Sequence, residues 1–143
     1  MKKFPFKPYD GTAPYLYIIH APEDAALVAK VALPLSKKYN IWYDDGTAPK
    51  EASVRIISDK IENAAVVLYF VSSNSVISDY AVSELVFAKN RGCKIIPICL
   101  PKANLPEDFK AKVDESRILF INKISSKSIK NLEMIIDYVR GNQ

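Results

Sequence analysis

Between Ala65 and Val71 the chain reads Ala-Val-Val-Leu-Tyr-Phe-Val, an unbroken apolar run of strand length. Such a run suits a strand buried on both faces, as inside a parallel sheet. Ser72-Ser73-Asn74-Ser75-Val76-Ile77-Ser78 follows, a stretch whose hydroxyls and amide favour turns and caps. Ser78 stands where a helix N-cap belongs, and Asp79 suits the positive end of the helix dipole. Tyr80 and Glu84 then fall one turn apart on one face, among the apolar Val82, Leu85, Val86 and Ala88. A carboxylate just past the C-terminal end of a buried strand lies where open α/β sheets bind ligands. The competing reading is a solvated glutamate on a surface helix.

The remaining chain supplies partners for that strand. Residues 1–14 contain Pro5, Pro8, Gly11 and Pro14 and read as an extended lead-in, packed on by Phe4, Phe6 and Tyr9. Residues 15–141 read as one domain. Tyr15 to His20 is the first strand, followed by a helix with Pro22 and acids in its first turn. Leu27, Val28, Val31 and Leu35 form its stripe, and Pro34 should kink or end it. Asn40 to Tyr43 is a short second strand. Asp44 to Lys50 is a polar loop, and Ser53 to Asn63 a second helix with Ile56, Ile57 and Ile61 inward. Lys94 to Leu100 is the fourth strand, where Pro97 belongs at an edge or bulge because it cannot donate to the ladder. Leu105 to Val113 is a weak helix or loop. Ile118 to Ile121 is the fifth strand. Ser125 or Ser126 caps a last helix, with Ile129, Leu132, Ile135, Ile136 and Val139 on one face and Gly141 at its end. Strands separated by helices mean right-handed crossovers. The expectation is a flavodoxin-like α/β domain: a five-stranded parallel sheet, order 2-1-3-4-5, with helices on both faces.

A chain of 143 residues is enough for one sizeable core. Its net charge of +4 is mild, and the denser basic patches, Lys37-Lys38 and Lys123 to Lys130, read as helix ends or solvated faces. No nucleic-acid partner is expected. No apolar run is long enough to cross a bilayer. Pro5, Lys7, Pro8 and Asp10 interrupt any signal peptide begun by Met1-Lys2-Lys3, so a cytoplasmic location without membrane contact is the default. Cys93 and Cys99 read as reduced thiols without metal spacing, and no metal site is expected.

Several uses of this architecture are excluded. The glycines, Gly11, Gly46, Gly92 and Gly141, are not clustered, so neither a dinucleotide fingerprint nor a P-loop is present. A receiver domain needs an aspartate ending the third strand, which here ends Val71-Ser72. No serine stands in a nucleophile elbow beside the sole histidine, His20. His20 reads as either a packed strand-end residue or part of a pocket rim.

From Tyr15 to about Ile121 the chain resembles a TIR (Toll/interleukin-1 receptor) domain, of the bacterial type. Tyr-Leu-Tyr-Ile-Ile-His-Ala-Pro-Glu-Asp resembles the family's first strand and following loop. Ile41-Trp42-Tyr43-Asp44 resembles its second strand, and Asp45 to Ala52 its BB loop. Ser78-Asp79-Tyr80-Ala81-Val82-Ser83-Glu84 is similar to Ser-x-Trp-Cys-x-x-Glu, and Lys94-Ile95-Ile96-Pro97-Ile98 to the fourth-strand Ile-Pro-Val signature. The departures fall around the pocket rim. Ile19 replaces a serine, His20 an aromatic, Lys50 the loop glycine, Tyr80 the tryptophan and Ala81 the cysteine, and Ala21 and Pro22 stand where some members carry arginines.

The resemblance implies an enzyme that cleaves NAD+ at the nicotinamide–ribose bond, by hydrolysis or cyclisation, with Glu84 as the catalytic residue and no cofactor. It places Tyr80 beside the substrate, in a pocket with His20 and Ser72. Trp42 and Tyr43 would be either aromatic walls for a flat cationic ring or core residues. The resemblance equally implies homotypic TIR–TIR self-association through Asp44, Asp45, Gly46, Pro49 and Lys50 of the BB loop. A non-catalytic signalling module is the alternative, and a nucleoside deoxyribosyltransferase-like enzyme a third.

Overall fold

The computed structural model describes residues 4–45 and 49–141. Five strands form one sheet: β1 (Leu16–Ile19), β2 (Ile41–Trp42), β3 (Val66–Val71), β4 (Ile95–Cys99) and β5 (Leu119–Phe120). Their order is β2-β1-β3-β4-β5 and every pairing is parallel, which makes this a flavodoxin-like α/β fold. Among the described residues the α-helices are α1 (Ala25–Ser36), α2 (Lys50–Glu62), α3 (Asp79–Asn90) and α4 (Ser126–Gly141).

The strands divide their side chains between two cores because successive residues point to opposite faces. Leu16 and Ile18, Val66, Leu68 and Phe70, and Ile96 and Ile98 face one side, where α1 and α4 cover them. Tyr17 and Ile19, Val67, Tyr69 and Val71, and Ile95 and Cys99 face the other, under α2, α3 and the 3-10 turn Glu107–Lys112. β3 is buried at all six positions, in keeping with its central place. Cys93 and Cys99 carry free thiols.

Pro97 lies inside β4, opposite Tyr69 of β3. Leu100 N donates to Val71 O, while Cys99 O accepts from Ile121 N, so even residues of β4 face β3 and odd residues face β5. The proline nitrogen therefore faces β5, which first pairs one residue later, at Ile98. At that point β4 is locally an edge, and no ladder bond is lost. The outer strands are shorter than their sequence suggests. The second helix begins at Lys50, earlier than Ser53, because Lys50, Glu51 and Ala52 are good helix formers.

The lead-in covers β2. Tyr9 N donates to Ile41 O at 2.8 Å. Phe4 is 1% exposed, with its ring 4.3 Å from Tyr43 and 5.5 Å from His20, centroid to centroid.

Candidate active site

The site lies at the C-terminal ends of β1 and β2, against the first turns of α3. Ser78 caps α3 by accepting from Ala81 N at 3.2 Å. That cap fixes the phase of the helix. Leu85 and Ala88 turn into the core, and the partly buried Glu84 turns toward β1. There the hydroxyl of Tyr17, itself fully buried, donates to Glu84 Oε1 at 3.1 Å. On the outer turn, the exposed Tyr80 donates its hydroxyl to Asp44 Oδ2 at 3.3 Å.

These groups border a cleft of about 280 Å³ lined by Tyr17, Ile18, His20, Pro22, Asp44, Tyr80 and Glu84. Larger hollows exist, including one of about 760 Å³ beside Pro14, Tyr15, Asn63 and Ala65. Those residues precede or flank the beginnings of β1 and β3, the end of a parallel sheet where such folds do not bind ligands. The smaller cleft lies at the chemically suited end and is the one that contains Glu84.

Its electrostatics are dominated by burial. Loss of solvent pushes the Glu84 carboxyl up to about 8; the Tyr17 hydrogen bond opposes that rise and the charge of Asp44 adds to it. Burial and then the Glu84 charge hold the Tyr17 phenol far above its ordinary value. Burial, Asp44 and Glu84 likewise raise Tyr80. His20 Nδ1 lies 2.7 Å from Ala21 O. A carbonyl only accepts, so this nitrogen carries the proton.

The fold thus brings His20, Tyr80 and Glu84 of the sequence-derived set to one cleft. Ser72 is elsewhere. It is 8% exposed and its hydroxyl donates to Asp24, while accepting from the backbone of Asn74 and Ser75. It is a structural tie between the start of α1 and the end of β3. Tyr43 is also removed from the cleft: it is 4% exposed on the opposite face of the sheet, and its hydroxyl donates to Phe6 O. The pleat explains this, since neighbours on a strand cannot face the same side. Trp42 has the favourable parity. It stacks on Tyr17 with centroids 5.3 Å apart and lines the adjoining hollow with Asp44 and Asp45. Of the remaining loop residues, Pro49 is exposed at the N-cap of α2, Lys50 begins that helix, and Gly46 lies outside the described residues.

Two residues acquire a place that sequence reasoning did not assign. Tyr17 was visible only as a strand residue; its parity with Ile19 and the buried polar tip it would need to satisfy were the available signals. Asp44, read as an assembly residue, lines the cleft. Among the described residues, no group of three or more His, Cys, Asp or Glu is arranged to hold a metal ion. No helix there is long and apolar enough to cross a membrane.

A family model described as "TIR domain" matches residues 16–134. Among solved structures, the TIR domain of the Toll-related receptor TRR-2 from Hydra magnipapillata is similar with a TM-score of 0.68 and 18% identity, covering 85% of this chain and 97% of that one. The CMP N-glycosidase BcmB of Clostridium botulinum reaches a TM-score of 0.63 at 16% identity, over 84% of this chain and 98% of its own. The RPS4 and RRS1 TIR domain heterodimer gives 0.61 at 17% identity, over 90% and 98%. At such identities these likenesses concern the fold. No curated protein sequence matches significantly.

Proposed function

This chain belongs to the TIR-domain family, and on that premise we propose that it cleaves the nicotinamide–ribose bond of NAD+, as a hydrolase or cyclase, in a defence or signalling pathway. The observation that carries the reading is Glu84, held by the Tyr17 hydroxyl in a cleft at the ligand-binding end of the sheet. When the C–N bond breaks, its electron pair stays on the ring nitrogen, and the pyridinium leaves as neutral nicotinamide. No proton donor is needed for that departure. The ribosyl fragment becomes an oxocarbenium ion, which an ionised Glu84 stabilises from short range. Water, or a nucleophile within the substrate, then attacks the sugar carbon and releases its proton. Tyr80 and Tyr17 offer phenol rings beside the cation.

The raised pKa of Glu84 is compatible with this role. A bound cation favours the charged carboxylate and reverses the effect of burial. Self-association through TIR–TIR contacts forms the second part of the reading. The fold is one that also occurs as a TIR heterodimer. A scaffold that acts only through such contacts would leave the Glu84–Tyr17 hydrogen bond in the cleft unexplained.

NAD+ consumption at high protein concentration tests the proposal. Wild type is expected to release nicotinamide, and Glu84→Gln to do so about a hundredfold more slowly or worse, since it loses one charge opposite the oxocarbenium ion. Equal rates for the two proteins would remove Glu84 from the mechanism.

A further inference from the structure

Tyr17 meets Glu84 through one hydroxyl, so the aim of that phenol decides whether the contact exists. A phenol oxygen lies on the long axis of its ring, and a ring that leans sideways carries it off target. The contact of 3.1 Å tolerates little displacement, because at about 3.6 Å it is no longer a hydrogen bond. The sheet register shows what keeps the ring upright. Trp42 of β2, Tyr17 of β1 and Val67 of β3 are directly paired and form one row on the α3 face. Val67 is fully buried and β-branched, a stiff wall on one side. On the other side stands Trp42, its ring stacked on Tyr17 with centroids 5.3 Å apart and planes inclined by 20°. Among the described residues β2 is the outermost strand on that side. Beyond it lies a hollow of about 570 Å³, which Trp42 lines with Tyr9, Ile56 and Lys60 and which Tyr17 does not line.

We propose that Trp42 is a positioning residue for Glu84: it braces the Tyr17 ring so that the hydroxyl meets the carboxylate, and it acts on the cleft without lining it. The proposal rests on the reading of Glu84 given above. Without the indole the phenol leans toward the hollow, and Glu84 loses the contact that favours its charged form. The other titratable groups around the carboxylate stay where they are: Tyr80 on α3, Asp44 beyond β2 and His20 beyond β1. Burial then meets less opposition, so ionisation of Glu84 should move to higher pH. The brace needs a flat face, not bulk alone. Phenylalanine can lie against a phenol ring as indole does, and leucine cannot.

A double-mutant cycle between Trp42 and Tyr17, read on the whole chain without substrate, tests this. Carbon-13 NMR follows the Glu84 carboxyl through its titration, with Glu84→Gln identifying the signal. Trp42→Leu is expected to move the midpoint to higher pH, in the same direction as Tyr17→Phe, and Trp42→Phe to keep that of wild type. Added to Tyr17→Phe, where the hydroxyl is already gone, Trp42→Leu should shift nothing further. Trp42→Met repeats the cycle with a longer side chain should the leucine variant not fold. The proposal is overturned if loss of the indole leaves the midpoint in place, lowers it, or moves it equally in the Tyr17→Phe background. NAD+ turnover at pH 7, measured in parallel, should fall about fivefold in Trp42→Leu, the loss of one hydrogen bond, and should fall no further than about twofold when the same change is added to Tyr17→Phe. A protein that consumes no NAD+ yet shows the coupled titration loses the glycohydrolase reading and keeps Trp42 as the brace of Tyr17. One that consumes NAD+ through Glu84 without the coupling keeps the reading and loses the brace.

Discussion

Glu84 is held between opposing neighbours, and its chemistry follows from their balance. Burial and Asp44 favour the neutral acid, and the Tyr17 hydroxyl favours the carboxylate. If the ionised form is the working one, kcat/KM should climb with pH toward about 8, because that parameter reports the free enzyme. Tyr17→Phe deletes the opposing hydrogen bond, so its profile should move to higher pH. At pH 7 its activity should fall about fivefold, as expected for a hydrogen bond worth ~1 kcal/mol. A profile shifted to lower pH would contradict this arrangement. The same shift governs stability. Unfolded, the carboxyl ionises near 4.5; folded, it keeps its proton to about 8. Between these values the unfolded state binds fewer protons, so this group's contribution is complete below pH 4.5 and is lost as pH rises to 8. Glu84→Gln removes the titration. Urea melts should show the variant gaining on wild type from pH 5 to 8, by on the order of a few kcal/mol at about 1.4 kcal/mol per pKa unit. The sequence alone suggests an indifferent substitution, because no partner for Glu84 is evident there.

At the scale of elements, the loop between β3 and α3 decides where Glu84 arrives. Asp24, at the start of α1, accepts from the Ser72 hydroxyl and from Asn74 Nδ2 at 2.9 Å. Ser75 Oγ closes the turn by accepting from Ser72 N at 2.9 Å. Three short polar side chains and one carboxylate thereby replace the ladder bonds that end with β3. Asp24→Ala would leave the buried Ser72 hydroxyl without its acceptor, at a cost of about 1–3 kcal/mol. Ser72→Ala separates a structural role from a binding one. Its denaturation midpoint should drop while the KM for NAD+ stays near wild type. An unchanged midpoint with a raised KM would return Ser72 to the substrate.

The whole molecule is a sheet closed on both faces and along one edge. Helices cover the faces, and the lead-in covers β2 through the Tyr9–Ile41 bond and the buried Phe4. An open β2 edge would offer unpaired backbone to other chains. At that edge, the backbone is no longer available for pairing, and only side chains and loops remain for contact with another chain. Replacing Asp45, Gly46 and Pro49 together should lower the mass seen by light scattering while the circular dichroism spectrum stays that of wild type. Unchanged mass would argue against a role for this loop in assembly. Asp44 is kept out of that variant, since it borders the cleft.

The sheet order and its helical layers were legible from residues such as Ala65 to Val71, because parallel strands buried on both faces need continuous apolar runs and long crossovers. The cap at Ser78 was legible for a similarly local reason: one hydroxyl and one backbone N–H three residues apart define it. Glu84 and Tyr80 were legible as a pair because helical periodicity puts them on one face. Tertiary structure alone decided what surrounds them. Tyr17 and Glu84 are 67 residues apart, Tyr80 and Asp44 36, and no local pattern links them. Strand parity sent Tyr43 to the far core and Trp42 to the near one. Local sequence determines which backbone each segment adopts. Which polar side chains share a desolvated cleft, and hence their protonation, is set only when distant segments pack.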